Sequence, residues 1–376
     1  MNIFYSIRES SKVQFSMAIF RQKSYIGFTS HFDALRMELE NRLPALQANI
    51  QTLTGVAGMK DYLNEIDTRF PVRNTKPQKD EFIGYVFGEA GKSGYFASEE
   101  HNGVLKASKA HRNIVIGSPE NAGVVFTAHY DTPRRALLPN LMLPLNPVLK
   151  WIYIFLPVLA MLAVSIGAAF TVRSLSGLQG VPGRLLTIAV YLAVYFGLFM
   201  LMLRGPANRH NRNDNTSGTA GVLSLAEKLT GCPGIAFILF DDEEKGKQGS
   251  KAYAQYRPEV KSSQLVVNMD CIGNGGQFLV SASESAMNDP RFQALASSLE
   301  GIGAKIYPSG KASMNSDQKS FEKGIGICAC LYKKGIGFYT PRIHTAKDTV
   351  ASPENISRLT DALASFARNI PTGSGE

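Results

Sequence analysis

Cysteine is scarce in this chain. Only Cys232, Cys271, Cys328 and Cys330 occur among 376 residues, and no two form a Cys-x-x-Cys pair. A disulfide scaffold does not suit so long a chain with so few thiols. Cys328 and Cys330 stand two apart in an apolar run, so they share one strand face as small buried thiols. Blocks of Lys and Arg interleaved with aromatics are also missing. The formal net charge of +9 would otherwise point to nucleic acid. Basic residues are spread along the chain, which argues against a nucleic-acid partner and leaves an anionic membrane surface open. No uninterrupted apolar run opens the sequence. Arg8, Glu9 and Lys12 break up "MNIFYSIRESSKVQFSMAIF", so no secretory signal is expected. Residues 1–33 read as an N-terminal arm that lies on a membrane or packs on a neighbour. Internal repeats and low-complexity tracts are absent.

Charge itself is absent from two stretches. Trp151 to Val172, "WIYIFLPVLAMLAVSIGAAFTV", is bounded by Lys150 and Arg173; Leu185 to Leu203, "LLTIAVYLAVYFGLFMLML", is bounded by Arg184 and Arg204. At ~1.5 Å per residue each can cross an apolar layer of ~30 Å. Trp151, Tyr153 and the flanking bases suit a headgroup boundary. The two runs read as a transmembrane hairpin joined by the loop "RSLSGLQGVPGR". Two crossings return the chain to the side it left. That side carries Arg134, Arg135, Lys150, Arg204, Arg209 and Arg212, against Arg173 and Arg184 in the loop. The bias places it in the cytoplasm of a cell-membrane protein. The preceding "ALLPNLMLPLNPVL", 136–149, holds three prolines, cannot be helical throughout, and is expected as a lip at the membrane interface.

The remainder has an α/β pattern. Apolar runs "NIVIG" and "GVVFTAHYD" read as neighbouring strands joined by "SPENA"; "GIAFILFDDEE", "QLVVNMDCIG" and "ICACLY" read as further strands. Helical spacing recurs in "FDALRMELENRLPALQ", "SGTAGVLSLAEKL", "DPRFQALASSLEG" and "SPENISRLTDALASFARNI", the last with Ser352 as its cap. The expected fold is α/β, a mostly parallel mixed sheet sandwiched by helices, with the two-helix hairpin inserted. Residues 34–135 and 205–376 would form the catalytic domain, and 136–204 the membrane insertion.

In such sheets ligands bind beyond the carboxyl ends of the strands. Polar residues gather where strands should end. His129 and Asp131 follow one run, Glu243 and Glu244 a second, Asp270 a third; His344 lies beyond the last strand and Asp214 opens a helix. If these ends converge, so many carboxylates would repel one another unless cations were present. Mixed His and carboxylate donors suit zinc, with manganese or cobalt as alternatives. Five ligands, one able to bridge, suit two ions roughly 3.5–4 Å apart.

In order and identity, "HYDTP", "NDNTSG", "FDDEEKGKQGS", "NMDCIGNG" and "IHTAKDT" resemble the signature elements of the two-zinc aminopeptidases of metallopeptidase clan MH. That family includes bacterial leucyl aminopeptidase, aminopeptidase S and the glutamate carboxypeptidase relatives. The resemblance implies two zinc ions. One would be held by His129 and Asp270, the other by Glu244 and His344, with Asp214 between them. Asp131 would orient the His129 ring, and Glu243 would be the general base that moves a proton from the attacking water to the leaving amine. "NSDQKSF" resembles the stretch that helps line the specificity pocket, with Gln318 where a histidine is common. Ile343 stands where some relatives carry an oxyanion-stabilising tyrosine, and Tyr339 is nearby in sequence. Asp348 either orients the His344 loop or caps a turn. His31, His101, His111 and His210 match nothing and read as surface or loop residues. Cys271 reads as a packing residue.

The larger departure is length: 84 residues lie between His129 and Asp214, where relatives have a short segment. Because the insertion leaves the fold between two ligands, both its ends should emerge at the active site. The expectation is a membrane-anchored aminopeptidase whose catalytic mouth faces the bilayer and whose substrates are peptides or protein N-termini presented there. A carboxypeptidase or aminoacylase-like hydrolase on the same fold is the nearest alternative. A membrane scaffold with a degenerate peptidase domain is the alternative of another class.

Overall fold

Val124–His129 is buried from end to end, and the sheet is laid out around it. The computed structural model describes residues 60–102, 111–136, 140–203 and 205–370; the expected arm at 1–33, the helical stretch 32–47 and His31 lie outside the described residues. Ten strands form one sheet among them. In chain order these are β1 (Ala97–Asn102), β2 (His111–Ile116), β3 (Val124–His129), β4 (Asn140–Met142), β5 (Ile235–Phe240), β6 (Leu265–Met269), β7 (Gln277–Ala282), β8 (Lys305–Pro308), β9 (Gly324–Lys333) and β10 (Gly337–Ile343). The order across the sheet is β1-β2-β5-β3-β6-β9-β10-β4, with β7 joined to β9 and β8 to β7. The centre, β5-β3-β6-β9, is parallel, and antiparallel strands flank it. The expected α/β sheet is therefore present. The expected pairing of β2 with β3 is not. β5 lies between them, antiparallel to β2 and parallel to β3, because a chain that is apolar on both faces can be inserted at the buried centre.

The helices are α1 (Tyr62–Arg69), α2 (Lys76–Lys92), α3 (Pro147–Ser176), α4 (Gly180–Leu203), α5 (Gly218–Lys228), α6 (Gln248–Tyr256), α7 (Pro258–Ser263), α8 (Glu284–Met287), α9 (Phe292–Gly301) and α10 (Pro353–Arg368). Side chains of α1, α2, α5, α9 and α10 close one large apolar core with the sheet, while Tyr253 of α6 and Val260 of α7 close a smaller one on Val115, Val125 and Ile238. Local chemistry starts these helices. Gln78 reaches back to the N–H of Thr75 in a capping box at α2, and Ser352 accepts the N–H of Asn355 at 3.2 Å ahead of α10.

α3 and α4 pack against each other as an antiparallel pair. Both are long and apolar enough to cross a membrane, and their most apolar windows are 17% and 0% buried, so they are not core helices. Trp151, Phe155 and Leu159 of α3 are more than half exposed. The residues α3 does bury, Met161, Ser165 and Ala169, recur every fourth position and so share one face of the helix. Hydroxyls in these helices bond back to their own backbone: Ser165 to Met161 O at 2.7 Å and Thr187 to Gly183 O at 2.8 Å. Those two hydroxyl protons are thereby bonded within the helix. The helices run further than the charge-free spans. The expected loop 173–184 shrinks to Gly177–Gln179, because left-handed Gly177 ends α3 and α4 starts at Gly180. The stretch 136–149, expected not to be helical throughout, is not. Its described part holds β4, paired with β10 of the catalytic sheet, and then the first residues of α3.

Candidate metal centre

Three parallel strands end side by side. His129 of β3 is opposite Phe240 of β5, and Thr127 is opposite Asn268 of β6. The residues that follow these ends, Asp131, Glu243, Glu244 and Asp270, therefore leave the sheet on one rim. Two remote segments complete the rim: 212–217 ahead of α5 brings Asp214, and the turn after β10 brings His344.

Asp214 is the hub. Its Oδ1 lies 3.4 Å from Nε2 of His129, and its Oδ2 lies 3.1 Å from Nε2 of His344. The same His129 nitrogen is 3.8 Å from Asp270 Oδ1, and the same His344 nitrogen is 3.1 Å from Glu244 Oε2. Two donor sets thus share one carboxylate, His129–Asp214–Asp270 and Asp214–Glu244–His344, each with its ligand atoms within 4.8 Å of one another. A structural observation tests whether cations fit. Asp270 Oδ1 and Glu244 Oε1 are buried with no hydrogen-bond partner, which a native structure rarely tolerates unless an ion answers them. Oxygen and imidazole donors in this proportion suit zinc.

The protonation of the rim points the same way. Burial pushes the Glu243 carboxyl well above the ordinary range and Glu244 to about 7. Burial works against protonating His129 and His344, but Asp131 and Asp214 beside the first, and Glu244 and Asp214 beside the second, hold both imidazoles well above the usual value. Burial also opposes ionising Asp214, yet the two imidazoles keep it below the carboxylate range. Divalent ions would take over the work of these protons.

Backbone contacts explain the motifs. Nδ1 of His129 is hydrogen-bonded to the main-chain carbonyl of Asp131 at 3.2 Å with the Asp131 carboxylate 3.4 Å away, and that carboxylate's two oxygens accept the N–H groups of Glu243 at 3.0 Å and Glu244 at 3.2 Å. One residue therefore holds an imidazole with its carbonyl and a turn carrying two acids with its carboxylate. In "NDNTSG", Asn213 Oδ1 accepts from Gly273 and Asn274 at 2.9 Å, while Asn215 Oδ1 accepts from Cys271 at 3.1 Å and its Nδ2 donates to Met269 O at 3.0 Å. The two amides lock the Asp214 segment to the end of β6. Gly218 permits that approach, since a Cβ there would fall 2.2 Å from Met269 O. Asp348 accepts from both Asn213 and Asp214, so it ties the His344 loop to the Asp214 segment.

Sequence reasoning missed several supports. Lys79 of α2 is buried and ion-paired with Asp241 and, at 3.0 Å, with Asp242. Nδ1 of His111 lies 2.9 Å from Asp242, so this half-buried ring belongs to the network behind the acids and is not a surface residue. Arg73 is fully buried, bonds the carbonyls of Tyr130 and Phe70, and reaches Thr216 at 3.2 Å, tying β3's end to the Asp214 segment. Asp317 has both oxygens buried without partners and is raised to about 7 by burial. Gln318 does not line the cavity; it is buried between Asn268 and Met314. Tyr339 is paired in β10 with Leu331 and is not among the residues that line the cavity. Cys271 is buried beside Asp270, and Cys328 Sγ and Cys330 Sγ are 3.6 Å apart as free thiols.

The insertion enters at this rim. Arg135 N–H bonds Pro206 O at 2.8 Å, Asn208 N–H bonds Pro133 O at 3.0 Å, and Ala136 N–H bonds His344 O at 2.8 Å. A cavity of about 290 Å³ is lined by Asp214, Glu243, Glu244, Asp270 and His344 together with Asn140–Met142 and Lys150 of the insertion.

Residues 208–367 match the model described as peptidase family M28, in agreement with the resemblance carried by the five motifs. The match takes in Asp214, Glu243, Glu244, Asp270 and His344; His129 and Asp131 lie across the insertion from it. No curated protein matches the chain. Among solved structures, Porphyromonas gingivalis glutaminyl cyclase aligns with a TM-score of 0.50 at 13% identity, over 81% of this chain and 94% of that one. Legionella pneumophila LapA aminopeptidase aligns at 0.47 and 16% identity, over 81% and 68% of the two chains. BSAP, a zinc aminopeptidase from Bacillus subtilis, aligns at 0.39 and 17%, over 68% and 49%. The glutaminyl cyclase likeness is one of fold alone.

Proposed function

Since the chain carries a peptidase family M28 domain, we propose that it is a membrane-anchored, two-zinc aminopeptidase. The observation that carries the reading is the shared ligand: Asp214 addresses His129 with one oxygen and His344 with the other. His129 and Asp270 would hold one zinc, Glu244 and His344 the second. Bound there, the ions would lower the pKa of water and polarise a peptide carbonyl. The rest falls to side chains. Asp131 fixes the His129 ring and the direction in which Glu243 points. Glu243 lines the cavity without being needed as a ligand, and burial raises its proton affinity. It is suited to accept a proton from the attacking water and return it to the leaving amine.

Lys150, in the first turn of α3, lines the same cavity, and Trp151 follows it. A membrane-boundary residue and the catalytic groups thus share one wall. This supports a mouth at the bilayer surface, open to membrane-presented peptides and protein N-termini, with the Arg-rich side in the cytoplasm.

The test is hydrolysis of free-amine and N-blocked peptides by the detergent-solubilised protein, with and without chelator, against Glu243→Gln. Expected are loss of activity on chelation, recovery with zinc, cleavage of free-amine peptides only, and a fall in kcat of about 10²–10⁴-fold in Glu243→Gln at unchanged zinc content. Cleavage of the blocked peptides would favour a carboxypeptidase or aminoacylase-like enzyme. Absence of bound zinc after reconstitution would mark a scaffold.

A further inference from the structure

The cavity that holds the proposed ligands also holds two ammonium groups, from Lys247 and Lys150. Lys247 is 9% exposed and directly precedes α6, and its backbone N–H is tied to Glu243 O at 2.7 Å, so its main chain is part of the catalytic turn. Two lysines are buried among the described residues. Lys79 has Asp241 and Asp242 against its ammonium. The Lys247 ammonium has only a neutral amide, donating to Asn315 Oδ1 at 2.8 Å, and Glu243 and Asp317 act on it without forming an ion pair. An ammonium at the wall of a cavity with no carboxylate in direct contact is incompletely answered, and an anion entering the cavity would answer it.

The charges of the cavity leave that place open. Its four acids are Asp214, Glu243, Glu244 and Asp270. On the two-zinc reading, on which this inference rests, two divalent ions balance them, and the two lysines are an excess within the lining that Asp317, outside it, offsets only in part. Lys150 forms no ion pair among the described residues and comes from α3, so the membrane hairpin contributes part of the excess.

We propose that Lys247, assisted by Lys150 and the amide of Asn315, forms a carboxylate-binding subsite, and that the substrates are peptides with an acidic group beside the scissile bond. That group is an Asp or Glu side chain or the free α-carboxylate of a short peptide. A carboxylate docked there would meet the Lys247 ammonium in a charge-assisted hydrogen bond, with Asn315 Nδ2 as a second donor.

The experiment uses the full zinc-reconstituted chain in detergent. Ala-Glu-amide and Glu-Ala-amide carry the side-chain carboxylate, Ala-Ala with a free terminus carries the α-carboxylate, and Ala-Gln-amide carries neither. Turnover is compared in the native protein, and binding is measured by calorimetry on Glu243→Gln. At least one acidic arm should exceed Ala-Gln-amide about tenfold or more in kcat/KM and in affinity; which arm does so identifies the source of the carboxylate. Lys247→Met should abolish that ratio, Lys247→Arg should retain it, and Lys150→Met should reduce it. If nothing is hydrolysed but Glu243→Gln still binds an acidic arm ahead of the neutral one, the subsite stands and the peptidase reading falls. Equal handling of all arms, or a preference that survives in Lys247→Met, overturns the subsite.

Discussion

Asp348 holds Asp214 by its main chain: one carboxylate oxygen accepts the N–H of Asp214 at 3.0 Å, and the other accepts that of Asn213 at 3.1 Å. The turn that presents one imidazole therefore also fixes the carboxylate between the two donor sets. Burial, with Asp214 close by, pushes the Asp348 carboxyl up to about 8. Asp348→Ala strands two buried donors and loosens the shared ligand. Its zinc affinity should fall by about 10–100-fold, as removal of a ligand's hydrogen-bonded support commonly does. Asp348→Asn keeps one acceptor and should fall in between. Competition with a chromophoric chelator reads both, and native affinity in Asp348→Ala would reduce Asp348 to a turn cap.

Zinc removal should make stability fall as pH rises. Burial lifts Glu244 from its ordinary 4.5 to about 7 and Asp317 from 3.8 to about 7. Below about pH 4 folded and unfolded chains both hold these protons; between about pH 4 and 7 only the folded chain does, and each further rise costs stability, the whole cost being present above about 7. His129 and His344 act in the same direction. Their raised pKa values stabilise the fold below the ordinary 6.5, and that gain is lost as pH climbs through the folded values. Asp214, held low by the imidazoles, works oppositely, and only below its ordinary 3.8. Thermal scans of chelated protein should show Tm declining from about pH 5 to about pH 8, while zinc-saturated protein declines less or gains, since the ions bind deprotonated carboxylates and neutral imidazoles. Parallel curves with and without zinc would contradict the ligand assignment.

Lys79 is expected to be a stability residue of the catalytic turn. Its ammonium answers Asp241 and Asp242, and Asp242 itself has a left-handed backbone, φ 53°, at the start of the turn that carries Glu243. Lys79→Met would leave the buried Asp241 without its counter-ion, while Asp242 keeps Lys245 and His111, at a cost of about 3–5 kcal/mol in chemical denaturation. Lys79→Met combined with Asp241→Asn should cost less than the two changes summed, because the second removes the charge that the first exposes.

The five proposed ligands were legible because His129, Glu244, Asp270 and His344 follow apolar runs whose ends a parallel sheet gathers on one rim, while Asp214, in polar sequence ahead of a helix, stood out through the motif resemblance. Lys79 was not, because its helix lies 162 positions before Asp241 and a lysine on a helix looks like any solvated one. Strand order was hidden for a similar reason. Nothing in "NIVIG" or "GVVFTAHYD" states that β5, more than a hundred residues later in sequence, separates them. The hairpin showed through its missing charge, but the helix limits depended on Gly177, and β4 depended on pairing with distant β10. Lys150 read as a flanking base; only the folded chain places it at the cavity.

Cutting out the spans alone tests the membrane half of the reading. The insertion leaves and returns through Arg134 and Ala207, bridged antiparallel, and α3 and α4 lie side by side, so their inner ends are close enough for a short linker. Replacing residues 151–202 with a Gly/Ser linker keeps β4, Lys150 and every proposed ligand. The variant should be soluble without detergent and bind zinc as the native chain does. If the anchor serves to present the cavity to the bilayer, native protein in vesicles should favour a lipid-tethered peptide over the same free peptide by about 10²-fold through local concentration. The variant should lose that ratio while still cleaving the free peptide. A ratio that survives the excision would detach the hairpin from substrate selection and leave it as an anchor only.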